Sequence, residues 1–372
     1  MATALTATSE ILGSQGEIPD GREQLRLHFN ESPYGAPAEA LDAAAEELRS
    51  LHTHYPDHEC TEIRERIARS VGVTPDMVAV ANGADELIQL ISLTFLTPSS
   101  GRPAAGTVAV TEQTFPGYAA AAAVAGADPR PVPLADHRVC PSAMAEALRD
   151  GARLAFVCNP HNPSGTVLDR AEVGEIIDVA EETGAVAVFD EAYIEFAAPE
   201  HDVTLDAVRR GRRALVMRTF SKAWGLAALR IGYLVGPADL VGRIRATRQS
   251  MPFSVNRIAQ RAAVTALDHP EFLAGVRERT AAARERLVKG LEAAGLDPVP
   301  SEANFVLVRT GADSTAVAGR LAAEHGVLVR DLAPLGKPGY LRVTVGTEEQ
   351  VDRFCTALSA VVPHTVADIE SE

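Results

Sequence analysis

Basic residues are in the minority. The chain has 35 Lys and Arg against 50 Asp and Glu, a formal net charge of −15 over 372 residues. Such a composition offers no general attraction to nucleic acid or to an acidic membrane, so an anionic substrate must meet a local cluster of arginines. Long apolar runs are also missing, and no stretch approaches the ~18 residues that a membrane span requires. The N-terminus, MATALTATSEILGSQGE, has no basic region ahead of an apolar core and reads as an arm, not a signal. Cys60, Cys140, Cys158 and Cys355 form no C-x-x-C pair. Neither a disulfide framework nor a zinc ribbon is indicated, and reduced thiols in a cytoplasm fit best. No G-x-G occurs, so a dinucleotide fingerprint and a P-loop are absent, and no G-x-S-x-G elbow supports a serine hydrolase. His52, His54, His58, Glu59 and Cys60 have metal-binding side chains, but they fall in a loop with Pro56, not on a helix that would align a ligand pair. No metal is expected.

What is present is enough apolar sequence, 46%, for a sizeable core, in a chain long enough for more than one domain. Leu25, Leu27 and Phe29 alternate with polar residues as a short strand; helices are expected over 36–49 and 61–71, with a loop over 52–60. Short β-rich runs then alternate with helical stretches. Strands over 78–81, 108–110, 130–134 and 154–158 are each followed by a helix, over 83–95, 116–124, 142–149 and 170–183. Strands over 185–189 and 214–218 follow, and 231–235 is expected to return antiparallel. This rhythm describes a three-layer α/β domain around a mostly parallel sheet. After Pro237 it gives way to long helices, the last over 271–291. Strands over 305–308, 327–329 and 341–345 and a helix over 348–361 then make a smaller α+β block. The expected division is an arm over 1–30, a small domain of 31–50 with 255–372, and a large domain over 51–254.

The chemistry centres on residues 218–236, RTFSKAWGLAALRIGYLVG. Lys222 stands among small hydroxyls (Thr219, Ser221) and apolar residues, where an amine loses its proton more readily than at the surface and is suited to condense with a carbonyl. Arg230 follows as a phosphate partner. Gly83, Ala84 and Asp85 open a helix directly after a strand, a context in which backbone N–H groups bind phosphate. Asp190 ends an apolar strand, at the sheet edge where a carboxylate can be buried beside a ligand. Asn162 lies in a turn stiffened by Pro160 and Pro163.

C-N-P-H-N-P-S-G-T (158–166), V-A-V-F-D-E-A-Y (186–193), F-S-K and the later arginine together resemble the fold-type-I, pyridoxal-phosphate-dependent aminotransferases. N-E-S-P-Y-G (30–35), H-Y-P (54–56), G-A-D-E (83–86), D-E-A-Y-I-E-F (190–196) and Y-L-R-V-T-V-G-T (340–347) are similar to the histidinol-phosphate aminotransferase branch. The matches keep the family's order over nearly the whole chain. The resemblance implies that Lys222 binds the cofactor aldehyde and moves the substrate proton, and that Asp190 keeps the ring nitrogen protonated. It also implies that Asn162 and Tyr193 donate to the ring's phenolate oxygen. Ala84, Asp85, Thr219, Ser221 and Arg230 would hold the phosphate, and Phe115 would stack on the ring. Tyr55 would reach the phosphate from a neighbouring subunit, which implies a homodimer with shared sites. Arg342 would bind the substrate α-carboxylate, while Arg330, Asn30 and Tyr34 would read its distal end. Histidinol phosphate with 2-oxoglutarate is the leading substrate pair, with aromatic amino acids or a specialised pathway open as alternatives. A decarboxylase resembling the threonine-phosphate decarboxylases is the runner-up, and a cofactor-binding protein without catalysis is the reading from another class. His161 and Ser164 depart from the commoner N-N-P-T-G, and Ser32 from N-E-N-P; these put the substrate, more than the chemistry, in question.

Overall fold

The computed structural model describes residues 24–97, 106–311 and 313–362, so most of the expected arm lies outside the described residues. The chain opens with β1 (Leu25–Leu27), α1 (Ala38–Leu51) and α2 (Thr61–Val71). The βα rhythm follows as β2 (Val78–Ala81), α3 (Gly83–Leu96), β3 (Thr107–Thr111), α4 (Gly117–Val124) and β4 (Asp128–Val132). A hairpin of β5 (Leu134–Ala135) and β6 (Arg138–Val139) leads to α5 (Pro141–Arg149), β7 (Ala152–Cys158), α6 (Arg170–Thr183) and β8 (Val186–Asp190). Next come α7 (Val203–Arg209), β9 (Ala214–Thr219), β10 (Gly232–Val235), α8 (Ala238–Arg248), α9 (Arg257–Ala266) and α10 (Pro270–Ala293). The last part holds β11 (Asp297–Pro298), β12 (Phe305–Arg309), α11 (Ser314–His325), β13 (Val327–Asp331), β14 (Tyr340–Thr344) and α12 (Glu348–Val361).

A seven-stranded sheet has the order β2-β10-β9-β8-β7-β3-β4. All its pairings are parallel except those of β10, which runs antiparallel to both β2 and β9, as expected for that stretch. Every residue of β2, β8 and β9 is buried, because core clusters cover both faces of the sheet. β4 carries Pro129 and Pro131, which cannot donate to a ladder, and it lies at the edge, where only one side needs pairing.

The second sheet has five strands, β1-β13-β14-β12-β11. Leu25 and Leu27, placed by the sequence reading in the arm, pair in parallel with Val327 and Val329. The cores also divide elsewhere than at the expected borders near residues 50 and 255. Ala40 and Ala44 of α1, and Ala259, Ala262 and Ala263 of α9, share the large sheet's core with Phe189 and Phe220, since α1 and α9 pack on each other there. The small sheet's core instead takes Ala283, Leu287 and Leu291 from the later turns of α10. α11 has no counterpart among the expected elements. Gly319 weakens its helical propensity, and its ends are set by Asp313, whose side chain accepts from the Ala316 N–H, and by Gly326 in the left-handed conformation.

Thr111, Cys158, Asp190 and Thr219 end β3, β7, β8 and β9, so the parallel strands deliver them to one edge of the sheet. Beside this edge lies a buried ionic network. Arg218 donates to Glu191 Oε2 at 2.9 and 2.7 Å and to Asp202 Oδ1 at 2.5 Å. Burial pushes the Glu191 and Glu195 carboxyls up to about 7. Carboxyls raised in this way favour the fold when protonated, and that contribution is lost as pH rises through 7. Arg218→Ala is therefore expected to cost about 3–5 kcal/mol at pH 8, where Glu191 must either stay buried and charged without its cation or take up a proton against the solution. The loss should shrink at pH 6; melting curves at the two pH values check it.

Candidate active site

A cavity of about 260 Å³ opens at the carboxyl edge of the large sheet and is closed from the other side by the small sheet. It is lined by Lys222, Asp190, Tyr193 and Asn162, by Ala84, Asp85, Thr219, Ser221 and Arg230, and by Phe115, Arg342, Arg330 and Asn30. Residues far apart in the chain thus converge on one space.

Lys222 follows β9 in a turn closed by Gly225 (φ +68°), where a side chain would overlap the carbonyl of Gly35. The half-buried amine donates to Phe29 O at 2.9 Å. Burial, and then the nearby Arg342 guanidinium, bring it down to about 8. Asp190 is buried, and desolvation raises its carboxyl to about 6 against the opposing hydrogen bonds from Tyr118 and the Ala192 N–H. Tyr193 Oη accepts from Asn30 Nδ2 at 3.1 Å, which leaves its own proton to donate. Asn162 Oδ1 accepts from Arg342 Nη1 at 2.7 Å, leaving Nδ2 a donor without a partner among the described residues. Two donors therefore stand together, beside Lys222.

At the other end of the cavity Gly83 (φ +81°) starts α3, and a Cβ there would lie 2.6 Å from Arg230 Nη2. The missing side chain lets the guanidinium lie against the first turn of the helix. Arg230 reaches Ser221 Oγ at 3.2 Å and Asp85 Oδ2 at 2.9 Å, and Ser221 N donates to Thr219 Oγ1 at 3.0 Å. A guanidinium, two hydroxyls and free N–H groups at a helix N-terminus make an anion cradle.

Arg342 and Arg330 face each other across β14 and β13 as register partners, both buried. Arg342 Nη2 donates to His28 O at 2.6 Å, and its Nε is buried without a partner among the described residues. Neither arginine forms an ion pair among the described residues. Like charges directly opposite on neighbouring strands repel, so an anion between them would relieve the pair.

Of the expected contact residues, Asn30 lies in the cavity lining and Tyr34 and Tyr55 lie outside it. Asn30 lines the cavity, with its side chain hydrogen-bonded to Tyr193 and to Thr344 Oγ1 (3.1 Å). Tyr34 stands outside the lining, its ring 4.2 Å from the Arg279 guanidinium carbon. Tyr55 also stands outside: it is 77% exposed and stacked on Phe253, with ring centroids 4.6 Å apart. Tyr118, Cys158 and His28 line the cavity and were not foreseen. Tyr118 had a signal in its position three residues after Phe115 at a helix start. His28 is held down to about 4 by burial and by Arg26, Arg330 and Arg342, so it is neutral.

Residues 22–358 match the family model for class I and II aminotransferases. The chain is 37% identical over 338 residues to a histidinol-phosphate aminotransferase of Geobacillus thermodenitrificans, covering 91% of this chain and 90% of that one. Among solved structures it is similar to a histidinol-phosphate aminotransferase from Sinorhizobium meliloti in complex with pyridoxal 5'-phosphate. That likeness has a TM-score of 0.80 and 28% identity, over 95% of this chain and 97% of the other. An aspartate aminotransferase from Thermus thermophilus with maleate shares the fold at a TM-score of 0.81 and 23% identity, covering 96% of each chain.

Proposed function

Because the chain belongs to the class I and II aminotransferases, which are pyridoxal-phosphate-dependent, we propose that it moves an amino group from histidinol phosphate to 2-oxoglutarate. The observation that carries the substrate assignment is the Arg330–Arg342 pair, two buried cations on facing strands that form no ion pair among the described residues. Both proposed substrates are anionic at the end away from the reacting carbon, as phosphate or carboxylate, and the alternating-substrate reaction needs one site to accept both. Arg342 would take the α-carboxylate of the oxo acid by a bidentate fork, and Arg330 the distal anion. That the relatives are named aminotransferases favours transamination over decarboxylation.

The residues fit the cofactor. The Gly83–Arg230 cradle suits its phosphate, Asp190 its ring nitrogen, Asn162 and Tyr193 its phenolate oxygen, and Phe115 one face of the ring. When bound, the cofactor supplies an electron sink for charge developing at the substrate's reacting carbon. Lys222 Nζ, partly unprotonated near neutrality, serves as the group that carries a proton to and from that carbon. Tyr193 and Asn162 hold the oxygen end with hydrogen bonds, and Arg342 fixes the substrate's orientation. The apoprotein should capture added cofactor faster as pH rises through about 8, because only the free amine of Lys222 attacks. Stopped-flow absorbance over pH 6–10 checks this.

We further infer a homodimer in which Tyr55 reaches the partner's site; its 77% exposure and its place outside the cavity support this. The cytoplasm is the proposed location, supported by four free cysteines. No helix among the described residues is long and apolar enough to cross a membrane.

Steady-state kinetics test the substrate assignment. Arg330→Ala should raise KM for histidinol phosphate and for 2-oxoglutarate about 30- to 100-fold, the loss of a charge-assisted pair, while sparing amino acids without a distal anion. Arg342→Ala should raise KM for every 2-oxo acid. Preference of the unaltered protein for a neutral donor over histidinol phosphate would overturn the assignment.

A further inference from the structure

Tyr118 is fully buried and yet lines the cavity. A buried phenol requires a hydrogen-bond partner, and here the Tyr118 Oη donates to Asp190 Oδ2 at 2.6 Å. The other carboxylate oxygen, Oδ1, accepts from the Ala192 N–H at 3.1 Å. The phenol ring is stacked on Phe156, with centroids 5.0 Å apart and 10° between planes, and it meets Phe115 edge-on at 5.6 Å. Gly117 intervenes, and a side chain there would overlap the Phe115 ring. One side chain therefore touches both the proposed ring-nitrogen partner and the proposed ring-face partner of the cofactor.

We infer that Tyr118 is a positioning residue of the reaction: its hydroxyl holds the Asp190 carboxylate ionised and turned toward the cavity, while its ring fixes Phe115. The inference rests on the pyridoxal-phosphate reading of the site. A carboxylate taken out of water protonates unless hydrogen bonds to its charged form compensate. Asp190 already lies above its ordinary range because of burial, and Asp85 raises it further while Lys222 lowers it. Cys158 and Tyr193, the other titratable groups facing it, are held un-ionised by their own burial. Tyr118 thus supplies a main opposing interaction. Without it the Ala192 N–H is left as the other donor, and a neutral carboxylic acid at position 190 no longer keeps a proton on a pyridine nitrogen.

Tyr118→Phe removes the hydroxyl and keeps the ring on Phe156 and Phe115, so the fold is retained. Three readouts in the holoenzyme and apoprotein separate positioning from packing. Tyr118→Phe should release pyridoxal phosphate about tenfold faster, and the acid limb of kcat/KM should move up by about one pH unit. Carbon-13 NMR of labelled Asp190 in the apoprotein should show the same upward displacement. In an Asp190→Asn background the same change should alter release less than twofold, because the hydroxyl acts through the carboxylate. Unchanged release and an unchanged pH profile in Tyr118→Phe would overturn the inference, as would an equal tenfold effect in both backgrounds, which means packing alone. Failure of the unaltered protein to take up the cofactor would instead remove the reading on which it rests.

Discussion

Replacing Lys222 with alanine is expected to abolish the visible absorbance of the cofactor-loaded protein and to reduce turnover by at least about 10⁴-fold, since covalent attachment and proton transfer are lost together. The expectation follows from where the amine stands. It emerges from the turn after β9, half-buried, with the Arg342 guanidinium and Phe29 O beside it, and it is brought down to about 8. Among the described lining residues of the cavity no second lysine is present to substitute for it. Cofactor should still dock weakly, because the Arg230 cradle is untouched. A small amine added to the variant should restore part of the rate by acting as a diffusible base. Retention of the visible band in Lys222→Ala would show that another group binds the aldehyde.

Asp190→Asn is expected to lower kcat by about 10²–10³-fold, the scale of losing one preorganised electrostatic partner in a water-poor site, with cofactor binding weakened but measurable. The amide keeps the side chain's shape and can still meet Tyr118 Oη, but it has no charge to hold a proton on a ring nitrogen. Near-normal rates in Asp190→Asn would remove it as that partner. The change should also stabilise the apoprotein above pH 6. Asp190 is raised from its ordinary 3.8 to about 6 by burial, so the cost of keeping it charged is felt as pH rises through 6 and is absent below 3.8. Gain of melting temperature in the apoprotein and loss of turnover in the holoenzyme should therefore come from the same substitution.

The order of strands and helices was legible because the large sheet is built from short apolar runs separated by helices, a pattern that leaves few other folds. The antiparallel return of β10 was legible because the connection from β9, residues 220–231, has no room for a crossover helix and holds only turns and one short 3-10 helix. That Lys222, Asp190, Asn162 and Arg230 would line one cavity was legible because each lies in a run whose neighbours fix its local conformation. Arg342 was not decided by periodicity. Its strand has apolar neighbours on either side, and only the placement of β14 between β13 and β12 turns it inward, opposite Arg330. The hydrogen bonds of Asn30 were not legible, because its partners, Tyr193, Thr344 and Asn304, lie 163 or more residues away and nothing local names them. Tyr118 escaped notice because burial of an aromatic ring is the ordinary outcome, and its hydroxyl's partner is 72 residues away.

The central claim is that Lys222 and its surroundings make a pyridoxal-phosphate site that exchanges amino groups. The direct test is an absorbance titration of the purified protein: cofactor first, then histidinol phosphate, then 2-oxoglutarate. The account predicts a visible band on adding cofactor, its conversion to a near-ultraviolet band by the donor, and its return with the oxo acid. A protein that develops no visible band with excess cofactor would contradict it.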